Sequence, residues 1–269
     1  MADMKAPRRD VKEFVRERYG ALARSASRSG PAITLTPKES KGCCGPSATG
    51  DAFVRVKGLY SRDETKGLPV GALAASAGCG NPLALAEVRQ GETVLDLGSG
   101  GGIDCLLAAR RVGPTGRVIG IDMTEDMIAL ARRNAAEVKA ANVEFRLAEM
   151  EKMPVDSASV DLIISNCVIN LSPDKDAVFA EAYRALKPGG RVLISDIVTT
   201  GDIPAEVRAS LDEWSHCIAG ALPKDEYLAK MRAAGFRDVA VMDEKSVSNL
   251  TGWRMNLASI KVRAVKASG

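Results

Sequence analysis

The chain has 269 residues, of which 46% are hydrophobic and 26% charged, the proportions of a globular protein able to bury a sizeable core as one large α/β domain with decorations. With 37 basic against 34 acidic residues the net charge is +3, too small to argue for a polyanionic partner. An aromatic content of 4% leaves few stacking platforms for single-stranded nucleic acid. No stretch approaches the ~20 apolar residues of a membrane span, so the sequence predicts a cytoplasmic protein with neither a nucleic-acid nor a membrane partner.

Val11, Phe14, Val15, Leu22 and Ala23 recur at helical spacing and predict an amphipathic opening helix. Residues 25–58 are rich in Ser, Gly and Pro and read as a long loop carrying Cys43 and Cys44. Ser61 and Glu64 have the spacing of a capping box. In Gly78-Cys79-Gly80-Asn81-Pro82, Asn81 suits an N-cap and Pro82 the first helical position, so a turn is expected to run into a helix. From Thr93 onward short apolar runs alternate with helical stretches, the pattern of a parallel sheet covered on both faces. Strands are predicted over 93–97, 117–122, 143–147, 160–165 and 191–197. A helix over 174–186 is stopped by Lys187-Pro188-Gly189-Gly190. Two more helices are predicted over 204–219 and 224–234, and β-like runs over 239–242 and 258–265 would complete seven strands.

The run from Val94 to Gly102 is an apolar strand ending in a carboxylate, Asp96, and a glycine-rich turn. A dinucleotide fingerprint would place its third glycine where Ile103 stands, which weakens a nicotinamide reading. S-adenosylmethionine has no pyrophosphate but carries a ribose diol. Asp122 closes the next strand close to the spacing, about 20 residues, at which an acid reaches such a diol. Asp96 is then a candidate for the ligand's amino group, directly or through water. The six cysteines, Cys43, Cys44, Cys79, Cys105, Cys167 and Cys217, contain no CxxC pair, which argues against a zinc ribbon. In a reducing compartment they are expected mostly as free thiols, available for metal binding, catalysis or burial.

Three of these segments resemble motifs of the class I methyltransferases: Asp96-Leu97-Gly98-Ser99-Gly100-Gly101-Gly102, Ile119-Gly120-Ile121-Asp122-Met123 and Leu186-Lys187-Pro188-Gly189-Gly190. The resemblance implies an α/β, Rossmann-like, doubly wound and mostly parallel seven-stranded sheet that binds S-adenosylmethionine. It also implies Met123 beside the ribose and adenine, Glu149 and Met150 at the adenine edge, and Asn166 near the methionine end. With Asp96, Gly98, Ser99, Gly100 and Asp122 these form the expected donor site. A narrower similarity, to the arsenite methyltransferases, is carried by the segments Ser76 to Pro82, Ser165 to Pro173 and Cys217 to Leu222.

That family implies Cys79, Cys167 and Cys217 as arsenic ligands, with a cysteine of the Cys43-Cys44 pair assisting in thiol–disulfide chemistry. It further implies arsenite and methylated trivalent arsenicals as acceptors, and a thiol donor such as glutathione or thioredoxin as reductant. Soft thiolates suit a thiophilic centre, and arsenic held by three sulfurs keeps its lone pair, so transfer needs in-line approach rather than a strong base. His216 neighbours Cys217, but adjacent helical residues point to different faces, which argues against a Cys–His dyad. Cys105 matches no motif and is expected to be buried. The expected division is an N-terminal helix and Cys-bearing loop over 1–58, a donor-binding domain over 59–200, and acceptor-site helices with closing strands over 201–269. The alternative is a class I methyltransferase acting on an ordinary small-molecule O, N or C acceptor, which a general base near the acceptor would distinguish. A thiol sensor that only captures arsenic is opposed by the intact donor motif.

Overall fold

The computed structural model describes residues 8–28, 59–247 and 252–268; Cys43 and Cys44 lie outside them. Helix α1 (Arg8–Arg28) buries Val11, Val15, Ala23 and Ala26, the apolar stripe its periodicity predicts. Ser61 forms the expected capping box with Glu64 at the start of α2 (Arg62–Thr65), and α3 (Val70–Ala74) follows. Asn81 caps as its type suggests, its side chain accepting from Ala84 N at 3.0 Å. The helix it starts is one 3-10 turn, Pro82–Ala84, and nothing longer.

Next come β1 (Thr93–Leu97), α4 (Ile103–Val112), β2 (Arg117–Asp122), α5 (Glu125–Glu137), β3 (Val143–Leu147) and β4 (Val160–Asn166). A single 3-10 turn at Ile169–Leu171 leads to α6 (Lys175–Ala185), which Asp174 caps by accepting from Ala177 N at 3.2 Å. Strand β5 (Leu186–Thr199) takes in the Lys187-Pro188-Gly189-Gly190 stretch that the sequence reads as a turn, because Leu186 already pairs with Val160 across a register shift. The single helix expected over 204–219 is divided into α7 (Ala205–Ala209) and α8 (Leu211–Ser215). The break lies at Ser210, which is extended and caps α8 by accepting from Glu213 N. Helix α9 (Lys224–Ala233) precedes β6 (Arg237–Ser246) and β7 (Leu257–Val265).

All seven strands form one sheet in the order β3-β2-β1-β4-β5-β7-β6. Strands β1 to β5 are parallel, and β7 runs antiparallel to both β5 and β6. Alternation along the strands sorts the core into two layers. Leu95, Leu97, Ile119 and Ile121 meet Phe179, Tyr227 and Met231 from α6 and α9. On the opposite face Val94, Val118 and Leu162 meet Leu106, Ile128 and Ala131 from α4 and α5. Strand order reverses at β1, with β2 on one side and β4 on the other. Ligands in such sheets bind at that crevice, beyond the carboxyl ends of the strands. Among the described residues no helix is long and apolar enough to cross a membrane.

Candidate active site

A cleft with about 900 Å³ of atom-free space, its mouth included, opens at the carboxyl ends of β1, β2 and β4. Gly98, Ser99, Gly100, Asp122, Met123, Glu149, Met150 and Asn166, eight of the nine expected donor-site residues, line it. The Asp122 carboxylate accepts from Gly100 N at 3.0 Å and Thr124 N at 2.9 Å. Burial pushes its pKa up, and those two amides work against the rise. Gly100 has a left-handed φ of +51° and nothing within 4 Å of where a Cβ would stand, so the turn presents bare backbone to the cleft. Ser99 Oγ is buried there without a hydrogen-bond partner among the described residues. A buried hydroxyl on a cleft wall calls for a ligand or solvent partner.

Asp96, the ninth residue, lies beneath this surface. It is 2% exposed, does not line the cleft, and accepts from the buried Cys105 Sγ at 3.2 Å. Burial, followed by the charge of Asp104, raises its pKa well above the carboxylate range. Cys105 has the buried place expected of it.

Residues absent from the sequence-based site also face the cleft. Asp104, in the first turn of α4, accepts from Tyr60 Oη at 2.8 Å and lies 3.1 Å from Asn166 Nδ2. Asn166 in turn binds the Gly80 backbone, receiving its N–H at 3.1 Å and donating to its carbonyl at 2.8 Å. Burial pushes the Asp104 carboxyl up to about 6, against the hydrogen bonds from Tyr60 and Asn166. Glu151 accepts from Ser172 Oγ at 2.6 Å. Lys12, Val15 and Tyr19 of α1 close one wall. Their 3-and-4 spacing was visible in the sequence; the surface they cover was not.

The cysteines meet at the same edge. Cys167, immediately after β4, lines the cleft and is joined to Cys79 by a disulfide, Cα to Cα 5.6 Å. This departs from the expectation of free thiols: the loop carrying Cys79 is bound to Asn166 through Gly80, which brings the two Cα atoms within bonding range. Cys217 Sγ donates to Cys167 O at 2.7 Å. Burial pushes the Cys217 thiol up; Asp196 adds to the rise and Lys175 opposes it. Both Cys167 and Cys217 have left-handed backbone, with φ of +60° and +63°. Among the described residues no group of three or more His, Cys, Asp or Glu has a metal-binding arrangement in this oxidised state. His216 is engaged by other partners, its Nε2 2.5 Å from Arg18 Nη2 and its Nδ1 3.5 Å from Asp212, while Cys217 Sγ donates to Cys167 O.

The family model described as a methyltransferase domain matches residues 89–235. An arsenite methyltransferase of Halobacterium salinarum is 44% identical over 245 residues, covering 91% of this chain and 62% of that protein. One from Aquipseudomonas alcaligenes is 39% identical over 178 residues, covering 64% and 51%. The chain therefore spans less than two thirds of the length of these curated relatives. Among solved structures, an arsenic(III) S-adenosylmethionine methyltransferase from Chlamydomonas reinhardtii aligns with a TM-score of 0.65 at 33% identity, covering 81% of this chain and 74% of that one.

Proposed function

This chain belongs to the arsenite methyltransferase family of class I methyltransferases, and on that premise we propose that it transfers methyl groups from S-adenosylmethionine to trivalent arsenic held by cysteine sulfurs. The donor cleft fits the cosubstrate. A carboxylate offers about four lone-pair sites; Asp122 accepts from Gly100 N and Thr124 N and from the Thr124 side chain, and keeps accepting capacity for a ribose hydroxyl. Ser99 Oγ and the bare turn at Gly100 supply a further polar contact and room for close approach. Bound there, S-adenosylmethionine supplies an electrophilic methyl group.

The acceptor side must first be reduced. Two thiols of a donor such as glutathione or thioredoxin become a disulfide, and Cys79 and Cys167 return as two thiols. The Cys43-Cys44 pair is our candidate for relaying that exchange within the chain. Each protein thiol then replaces one hydroxyl of arsenite, its proton leaving with that hydroxyl as water, so the raised pKa of Cys217 does not prevent binding. The lone pair on sulfur-bound arsenic would form the new As–C bond as the sulfonium S–C bond breaks and S-adenosylhomocysteine leaves with that electron pair, which requires in-line approach at about 3 to 3.5 Å.

The observation that carries this reading is convergence: Cys167 lines the donor cleft while bonded to Cys79 and hydrogen-bonded by Cys217. Incubation with arsenite, S-adenosylmethionine and a thiol, followed by speciation of the arsenic, tests it. Methylated arsenicals formed only when all three are present are the expected result; unchanged arsenite with a competent donor site would refute the acceptor assignment.

A further inference from the structure

Helix α1 lies outside residues 89–235, which match the methyltransferase domain, yet it touches both halves of the site. On the donor side Lys12 Nζ is 2.8 Å from Glu149 Oε2 and 2.9 Å from Glu151 Oε1, and Arg16 Nε donates to Met123 O at 3.3 Å. On the acceptor side Arg18 Nη1 meets Asp212 Oδ1 at 2.5 Å, and Tyr19 Oη donates to Ser215 O at 3.3 Å. Asp212 and Ser215 belong to α8, whose last turn leads directly into Cys217; Cys217 N donates to Trp214 O at 2.9 Å. Val11 and Val15 are buried in the same apolar cluster as Cys79, Cys167 and Cys217.

Two glutamates on one cleft wall repel each other, and an ammonium between them fixes both. Burial works against the Lys12 charge, but the hydrogen bonds it donates to Glu149 and Glu151, with their negative charges, more than restore it. We infer that Lys12 is a positioning residue of the methyl transfer: it holds Glu149 and Glu151 on the donor wall and, through α1, makes the order of the Cys217 segment depend on occupancy of the donor site. The inference rests on the proposed function, and it assigns to α1 the task of bringing acceptor and donor into register. A ligand that favours the clasped arrangement of Lys12 stabilises α1, and with it α8. By linkage, an ordered acceptor segment tightens donor binding by the same factor.

The test uses S-adenosylhomocysteine, which binds the donor site without reacting, on the whole chain. Its affinity is measured by calorimetry, and amide hydrogen exchange over residues 211–221 is followed with and without saturating ligand. In the wild type, binding should slow that exchange by about threefold or more. Lys12→Met should weaken binding by about tenfold and abolish the slowing even at saturation, and Lys12→Arg should restore both. Arg24→Met removes the α1 ion pair with Asp126, two side chains that do not line the cleft, and should change neither readout. The inference is overturned by a wild type without slowing, by Lys12→Met with wild-type affinity and slowing, or by equal losses in Arg24→Met, which would make α1 a structural support only. None of these readouts involves arsenic. A wild type that binds S-adenosylhomocysteine but leaves arsenite unmethylated would refute the acceptor assignment and spare this inference.

Discussion

The two halves of the cleft are assembled by different means. The centre of the donor half comes from the adjacent strands β1 and β2 and the glycine turn after β1, and is locked by backbone groups: Gly100 N to Asp122, and Ser99 N to Ile121 O at 2.9 Å. The acceptor half gathers sulfur from segments 88 and 50 residues apart, with two of its three cysteines on left-handed backbone. A site made of contiguous sheet backbone is specified by the fold itself. A site gathered from distant loops depends on the bonds that hold the loops together, and those bonds can be broken separately.

The largest separation should come from redox state. Without reductant the Cys79–Cys167 disulfide leaves no three-thiol site, so arsenite binding, followed by tryptophan fluorescence, should be lost while S-adenosylhomocysteine affinity stays within about twofold, because Asp122 and the glycine turn do not involve the sulfurs. Equal loss of both ligands would break the comparison. Next, Cys217→Ser should slow arsenite methylation by about 100-fold or more, the scale set by misplacing a reacting atom by about 1 Å. Arsenic speciation checks the rate and calorimetry checks that the donor half is intact. Conversely, Asp122→Ala should weaken S-adenosylhomocysteine by about 1.5 to 3 kcal/mol and spare arsenite capture by the reduced protein, both measurable by calorimetry.

The smallest effect is on stability. Asp104 beside the donor cleft has its carboxyl pushed up to about 6, and Asp196, hydrogen-bonded by Asn170 and Tyr227 behind Cys217, is pushed up to about 7, both by burial. Unfolded aspartate titrates near about 3.9, so between those values the folded protein holds the extra protons and stability falls as pH rises. Asp104→Asn should flatten the decline between about pH 4 and 6, and Asp196→Asn the longer decline between about pH 4 and 7. Urea unfolding at several pH values reads the slopes; a steeper decline in either variant would contradict the buried-acid assignment.

Much of the donor half was legible because its signals are local. Strands β1, β2 and β3 occupy 93–97, 117–122 and 143–147, the spans that alternation and glycine punctuation indicate. Asp96 lies beneath the cleft and not on its wall because its side chain is spent on Cys105 under the turn, a contact no spacing rule expresses. The break at Ser210 was missed because a helical pattern outvoted one capping residue. Lys12 meets Glu149 across 137 residues, so nothing short of tertiary structure reveals the wall that α1 supplies. The disulfide was obscured by an argument from compartment, which speaks of the average thiol and not of two cysteines held 5.6 Å apart.

The left-handed backbone at Cys167 and Cys217 bears on what selection has preserved. Glycine relieves such a conformation, and asparagine tolerates it, whereas other side chains cost roughly 1 to 2 kcal/mol. A library screened for folding alone should therefore enrich glycine and asparagine at both positions, while one screened for survival in arsenite should return cysteine. The two screens would pull the same codons apart. That divergence would measure, position by position, how much stability the chain forgoes to keep sulfur at the edge of its sheet.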